Sequence, residues 1–136
     1  MKRKVRSGTT TKKVIRAAQP KLPPISEQMK AWSSALETEV ADWPRVSRKP
    51  MFGMTALYHR SKIFAILPRT RALGSASALA IKLEKPKPRT LASIEREPRI
   101  LTTMIKARRW YLFEMAADSD LRDALAWLRL AYEAVA

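Results

Sequence analysis

The side chains that could carry out chemistry in this chain are few, and they do not form a recognised catalytic set. His59 is the only histidine, and it lies at a predicted turn with no acid or nucleophile beside it. A general base needs a partner within hydrogen-bonding reach, so we interpret His59 as an exposed surface residue. The segment 74–77, Gly-Ser-Ala-Ser, matches neither the nucleophile elbow nor the phosphate-binding loop, and we predict an ordinary loop there.

Three isolated carboxylates, Glu84, Glu95 and Glu97, lie among lysines and arginines. Acid–base catalysis needs two acids in contrasting environments, so we expect solvated ion pairs instead. The chain has no cysteine, which excludes disulfides and thiol chemistry, and a single histidine excludes a His-rich metal site. We therefore predict no catalytic residue, no metal site and no cofactor. An enzyme built from His59, Tyr58 or the isolated acids is the least favoured class.

The positive charge of the chain is its most distinctive chemical property, with a net charge of +15. The charge is uneven, because residues 1–24 and 45–109 are strongly basic, whereas residues 25–44 and 110–136 are mildly acidic. A field of this kind attracts anions. The basic clusters therefore indicate either weak, sequence-independent contact with phosphates or only high solubility, and the sequence leaves both open.

The candidate anion contacts come from the clusters within the predicted domain. Trp110 belongs with them, because an aromatic ring beside guanidinium groups can stack on a base or help to bind an anion. No helix-turn-helix or zinc-finger pattern occurs, so specific reading of DNA is not favoured. The candidates for contact with an anion or a nucleic acid are Arg48, Lys49, Arg69, Arg71, Lys85, Lys87, Arg108, Arg109 and Trp110.

The composition divides the chain into a tail and one domain. Residues 1–24 combine Lys and Arg with Ser, Thr, Gly and Pro, so we predict a disordered basic tail before a single folded domain, residues 25–136. The longest apolar run, residues 63–67, is far shorter than the roughly 20 residues that span a bilayer. We expect no membrane association, and a polar stretch after the first basic residues favours a cytoplasmic location over secretion.

Periodicity predicts the elements of the domain. Apolar residues spaced by three and four predict a helix that Ser26 caps and Pro44 ends, a short helix capped by Thr90, and a helix from about Asp118 onwards. A tight turn, His59-Arg60-Ser61, joins the first two strands. Five strands are predicted, at residues 51–58 with an interruption near Gly53, 62–67, 78–83, 100–105 and 109–115.

The order of these elements defines the fold class. It is α-β-β-β-α-β-β-α, without the alternation of strands and helices that is typical of parallel sheets. We therefore predict a two-layer α+β fold, with an antiparallel sheet and helices on one face. The strands at 62–67 and 109–115 are apolar on both sides, so we expect the open face to bind a second copy or a protein partner.

Two stretches of the sequence resemble a known family. The run RKPMFGMTALY at 48–58, followed by KIFA at 62–65, is similar to the Arg-Met-Phe-Gly signature and hairpin of the TfoX N-terminal domain and of YjbR-like domains. The run WYLFE at 110–114 and the last predicted helix resemble the closing elements of the same domains. The resemblance covers residues 27–136 approximately. The chain is also similar to short domains labelled luciferase-like, although that label brings no chemistry with it.

The resemblance implies a two-layer module found in regulators, with a poorly defined molecular activity. It favours a non-enzymatic binding or regulatory module as the function. In the motif, Met51, Phe52 and Gly53 are expected to be structural, with Gly53 at a bulge or a close backbone approach. The alternative is a nucleic-acid-binding accessory protein, in which residues 2–21 and the basic middle of the domain hold phosphates.

Overall fold

The computed structural model describes residues 22–101 and 109–135. Its first helix, α1 (Glu27–Ala41), begins where the Ser26 hydroxyl accepts a hydrogen bond from the Met29 N–H at 3.0 Å. This is the capping predicted from the sequence. The helix ends three residues before Pro44, as expected from the backbone restriction that proline imposes. The helix residues that are buried are Met29, Trp32, Ser33, Leu36 and Val40.

Between α1 and Pro68 the chain forms three strands, where the sequence predicted two. They are β1 (Val46–Met51), β2 (Met54–His59) and β3 (Lys62–Pro68). The predicted strand at 51–58 is therefore the end of β1, a turn and β2. Phe52 and Gly53 form the two-residue loop, and both have positive φ, 49° and 81°, as in the type I′ turns that join antiparallel strands.

The second hairpin loop is one residue shorter than predicted. His59 pairs with Lys62 as the last residue of β2, so only Arg60 and Ser61 form the loop. As a strand residue, His59 places its side chain on one face of the sheet, not in the solvent around a turn. The expected turn residue is thus a strand residue that faces the helices.

The remaining elements complete the predicted order. They are β4 (Ala78–Lys82), α2 (Pro88–Arg96), β5 (Ile100–Leu101), β6 (Trp110–Glu114) and α3 (Asp120–Ala134). The helix α2 begins before Thr90 because Pro88 takes the first helical position, where its missing N–H costs nothing. Of the predicted strand at 100–105, only the first two residues fall within the described part.

The six strands of the described residues form one sheet in the order β1-β2-β3-β4-β6-β5. Every pairing between neighbouring strands is antiparallel. Pro50 lies on the edge strand β1, which is where a residue without an N–H is tolerated in a sheet. The α+β class with an antiparallel sheet is confirmed, with one more strand than the sequence indicated.

The two faces of the sheet differ in what covers them. Apolar residues of α1, α2 and α3 pack with one face in a single large core that includes Leu57, Phe64, Leu79 and Phe113. The other face, which we call the helix-free face, has a smaller cluster that includes no helix residue from the described part of the chain. Its central side chains are nevertheless buried, and they belong to Met54, Ile66, Ala78, Ala80 and Leu112.

An arginine holds the start of α3 against the preceding chain. The Arg99 guanidinium donates to Glu97 at 2.7 and 2.8 Å, to Asp120 at 2.9 Å and to Asp123 at 2.8 Å. It also lies 5.0 Å from the centre of the Phe113 ring. One side chain therefore joins the end of α2, β6 and the first turn of α3, which are far apart in sequence. We call this group the Arg99 network.

Candidate functional site

The basic residues proposed from the sequence do not form one patch. Pro68, which precedes Arg69, pairs with Met54 beside the Phe52–Gly53 turn. Lys82 pairs with Trp110 at the opposite end of the strands. The structure therefore brings Arg48, Lys49, Arg69 and Arg71 to the edge and end of the sheet near Gly53, and Lys85, Lys87 and Arg109 to the other end. Arg108 lies outside the described residues.

Three residues of the first group, Arg48, Lys49 and Arg69, line a recess of about 310 Å³ at the edge of the sheet. Arg48 Nη1 lies 2.6 Å from Glu37 Oε2, yet 53% of the Arg48 side chain stays exposed. The Lys49 ammonium lies 5.3 Å from the centre of the Tyr58 ring. The recess is thus lined by three basic residues and one acid, with the Lys49 ammonium itself placed over the Tyr58 ring. We call it the hairpin recess, and it is lined by Glu37, Arg48, Lys49, Pro50, Thr55 and Arg69.

Gly53 fixes the loop that carries Arg69 to this recess. Its carbonyl oxygen accepts hydrogen bonds from three successive N–H groups, those of Arg69 at 3.1 Å, Thr70 at 2.8 Å and Arg71 at 3.1 Å. A Cβ at Gly53 would lie only 2.9 Å from both Arg71 Cγ and Thr70 Oγ1. The expectation of a close backbone approach at Gly53 is confirmed, although the local structure is a turn and not a bulge.

The chain that enters α1 is bound to the same loop. The Ala72 N–H donates to the Pro23 carbonyl at 3.1 Å, and Pro24 forms a bridge with Arg71. The Ile25 N–H donates to the Thr70 carbonyl at 3.3 Å. The last two residues of the predicted tail therefore contact the folded domain, whereas residues 1–21 lie outside the described part.

Phe52 is the feature of this site that the sequence did not reveal. Its side chain is 79% exposed at the tip of the β1–β2 hairpin, and it belongs to neither apolar cluster. The other large exposed apolar side chains of the described residues, those of Leu22, Leu91 and Leu130, are 38–43% exposed. Met51 packs against the helix-free cluster, so only Met51 and Gly53 keep the structural roles expected for this motif.

The second basic group lies among carboxylates. Lys82 Nζ is 3.1 Å from Glu84 Oε2, and Arg109 Nη1 is 3.9 Å from Glu84 Oε1. The hydrogen bond from Lys82, assisted by the positive charges of Lys82 and Arg109, keeps the pKa of Glu84 below its ordinary value. Lys85 and Lys87 line a recess of about 420 Å³ that also includes Glu84 and Glu133. The solvated ion pair expected for Glu84 is confirmed.

Trp110 and His59, both singled out from the sequence, are packed within the folded domain. Trp110 is partly buried and packs against the helix-free cluster. The expectation that His59 is exposed is wrong, because its side chain is 7% exposed. Its Nδ1–H donates to the Tyr132 carbonyl at 2.8 Å, and the imidazole stacks on the Tyr132 ring at 4.0 Å. His59 is therefore part of the contact between β2 and α3.

The described residues contain no group of three or more His, Cys, Asp and Glu side chains that could hold a metal ion. The serine loop agrees with the prediction of an ordinary loop, since Ser75 donates to Glu114 Oε2 at 2.7 Å. Among residues 22–101 and 109–135, no helix is long and apolar enough to cross a bilayer.

Comparisons of the chain with family models, with curated proteins and with solved structures gave no match.

Proposed function

We propose that the protein is a non-enzymatic binding module, as the resemblance to the TfoX N-terminal domain implies, and that it binds nucleic acid through phosphates at the hairpin recess. The observation that carries the proposal is the excess of basic residues that line this recess, since Arg48, Lys49 and Arg69 line it together with a single acid, Glu37. A cytoplasmic location, expected from the sequence, is compatible with this ligand.

The basic residues of the hairpin recess share it with one acid, whereas Lys85 and Lys87 share theirs with two, Glu84 and Glu133. Arg48 contacts Glu37 through Nη1 alone, so the rest of its planar guanidinium remains for a bidentate contact with phosphate oxygens. At the opposite end of the sheet, Lys82 and Arg109 share Glu84. A phosphate there would compete with a carboxylate already in place, so we expect the hairpin recess to be the stronger site.

A polyanionic ligand accounts for the high positive charge of the protein better than a small anion does. The recess is shallow and lies at the edge of the sheet, with Arg71 beside it, so it leaves room for a chain of phosphates to continue along the surface. Binding that releases condensed counterions weakens steeply with salt, with a slope of roughly −0.7 per phosphate contact for single strands. A protein of net charge +15 gains most from such a ligand.

The test is the salt dependence of binding to a labelled single-stranded oligonucleotide, measured by fluorescence anisotropy. The double variant Lys49→Glu/Arg69→Glu should bind roughly tenfold or more weakly, with a salt slope reduced by about 1.4. The matched control is Lys85→Glu/Lys87→Glu, which changes the net charge equally and should lose less than about threefold. Equal losses in the two variants would show that the recess is not the site, and no binding by the unaltered protein would refute the proposal itself.

The tail is tested separately by removing residues 1–21. The deletion should stop there, because Pro23 and Pro24 contact the folded domain. We expect weaker binding and a smaller salt slope, since eight lysines and arginines are lost. Unchanged affinity would remove the tail from the binding surface and leave the hairpin recess alone.

Self-association through the helix-free face stays a prediction. Fewer residues are left for such a contact than the sequence indicated, because the central side chains of that face are already buried. The apolar side chains packed on this face that remain partly exposed are Met51, Ile63, Leu73, Leu101 and Trp110.

A further inference from the structure

We propose, as an extension of the proposed function, that Phe52 stacks on an unpaired nucleobase while the hairpin recess holds the adjoining phosphates. The ligand would then be single-stranded nucleic acid, bound at the tip and edge of the β1–β2 hairpin. The inference depends on the binding of nucleic acid at this edge. It adds contact with the base to the contact with the phosphates.

Phe52 is unfavourable for the fold in two respects. Its φ of 49° lies in the left-handed region, where a bulky side chain is a conformational outlier. Its ring, 79% exposed, gains no burial within the domain. Type I′ turns favour Asn, Asp or Gly at this position, so any of them would suit the turn better. Strain of this kind, at a residue that the fold does not use, points to a function outside the fold.

The surroundings of Phe52 favour a nucleobase over other apolar ligands. Pro50, which lines the recess, precedes Phe52 by two residues, or at most about 7 Å along the chain. Arg71 packs its Cγ against the backbone of Gly53, the residue after Phe52. An exposed aromatic ring beside basic residues is the arrangement that binds single strands, because a base stacks on the ring and phosphates lie on the charges.

Unpaired bases fit this site better than a duplex. The face of a base inside a duplex is already stacked on its neighbours, so a ring at a hairpin tip reaches it only by separating two base pairs. In a single strand the same face is accessible without that cost. An anionic membrane could also receive a ring flanked by cations, but Phe52 is the only residue of the tip that exposes a large apolar side chain among the described residues.

The experiment separates base stacking from charge. Two probes of about 20 nucleotides are compared, oligothymidine and an abasic strand with the same number of phosphates. The variant Phe52→Asn should bind oligothymidine about 5- to 150-fold more weakly than the unaltered protein, with unchanged affinity for the abasic strand. Phe52→Tyr should keep most of the affinity. Leu91→Ala, which shortens another exposed apolar side chain, is the control and should change neither affinity.

Loss of structure would not imitate this result. Asn is favoured in the turn, so Phe52→Asn should melt at a temperature about 2–5 °C higher than the unaltered protein. Equal binding of both probes, with no effect of Phe52→Asn, would overturn the stacking proposal and leave the phosphate site standing. Binding of neither probe would refute the proposed function as well. Binding to phosphatidylserine vesicles that depends on Phe52, without binding to oligothymidine, would favour a lipid surface and overturn both.

Discussion

Replacing Arg99 with Gln should destabilise the domain by about 3 kcal/mol near pH 7. The guanidinium makes two hydrogen bonds to Glu97 and one to Asp120, whose side chains are only 16% and 13% exposed. Because Arg99 is itself 30% exposed, its contact with each of these two carboxylates is taken at about 1.5 kcal/mol, the low end of the range for hydrogen bonds to charged groups. The pair with Asp123, whose side chain is 50% exposed, adds less than about 1 kcal/mol. Without Arg99, three carboxylates are left close together.

The loss should depend on pH, with a sign that follows from the pKa values. The side-chain hydrogen bond from Arg99 lowers the pKa of Glu97 below its ordinary value of 4.5. The pKa of Asp120 is lowered below 3.8, first by the Ala116 N–H and then by Arg99. Groups whose pKa is lowered by folding stabilise the fold above their unfolded pKa and lose that contribution as the pH falls through the folded pKa. The difference between the two proteins should therefore shrink below about pH 4.

Urea denaturation followed by circular dichroism at about pH 7 and about pH 3 measures both quantities. Arg99→Lys serves as the control, because it keeps the charge but loses the fork that contacts several carboxylates at once. The free energy of unfolding of Arg99→Lys should lie between those of the unaltered protein and of Arg99→Gln. A loss below about 0.5 kcal/mol near pH 7, or an equal loss at both pH values, would refute the assigned role of the Arg99 network.

Three further outcomes are expected. Gly53→Ala should cost about 1–3 kcal/mol in denaturation, since φ is 81° and the new Cβ would overlap with Arg71 and Thr70; an unchanged stability would contradict the close packing at this turn. Arg60→Gly should stabilise the domain by about 0.5–1 kcal/mol, because Arg60 has a φ of 63°, and destabilisation would show that its side chain has a structural contact. If the helix-free face mediates self-association, the protein should sediment faster than a monomer at high concentration, and a strict monomer would contradict that association.

The helices could be predicted from the sequence because their signals are local. Ser26 caps α1 and Pro44 follows its end, and Asp120 and Asp123 lie at the positive end of α3. Each of these effects acts within one turn of helix. The α+β class followed from the order of such elements, since strands that succeed one another without helices between them pair as hairpins.

The details that the sequence did not reveal depend on register. The turn at Phe52 and Gly53 was interpreted as an interruption of a strand, because Phe is atypical in a type I′ turn. The sequence predicts a turn of His59-Arg60-Ser61, whereas pairing with Lys62 makes His59 a strand residue whose side chain contacts Tyr132 instead of the solvent.

The residues of the candidate site could be predicted from the sequence, but their grouping in space could not. The sequence identified Arg48, Lys49 and Arg69 as cations, and only the pairing of β1 with β2 and the loop bound to Gly53 bring them to one recess. Which carboxylates the basic residues contact depends on residues distant in sequence, as in the contact between Arg48 and Glu37. Periodicity carries no information about such contacts.

The bridge between Pro24 and Arg71 has a consequence for affinity. It fixes the point at which residues 1–21 are tethered to the domain, and that point lies beside the hairpin recess. In the proposed complex, the eight cationic residues of this segment would meet a strand bound in the recess at an effective concentration set by the length of the tether, not by the concentration of protein in solution. Two individually weak contacts with one polyanion would combine into a much longer-lived complex.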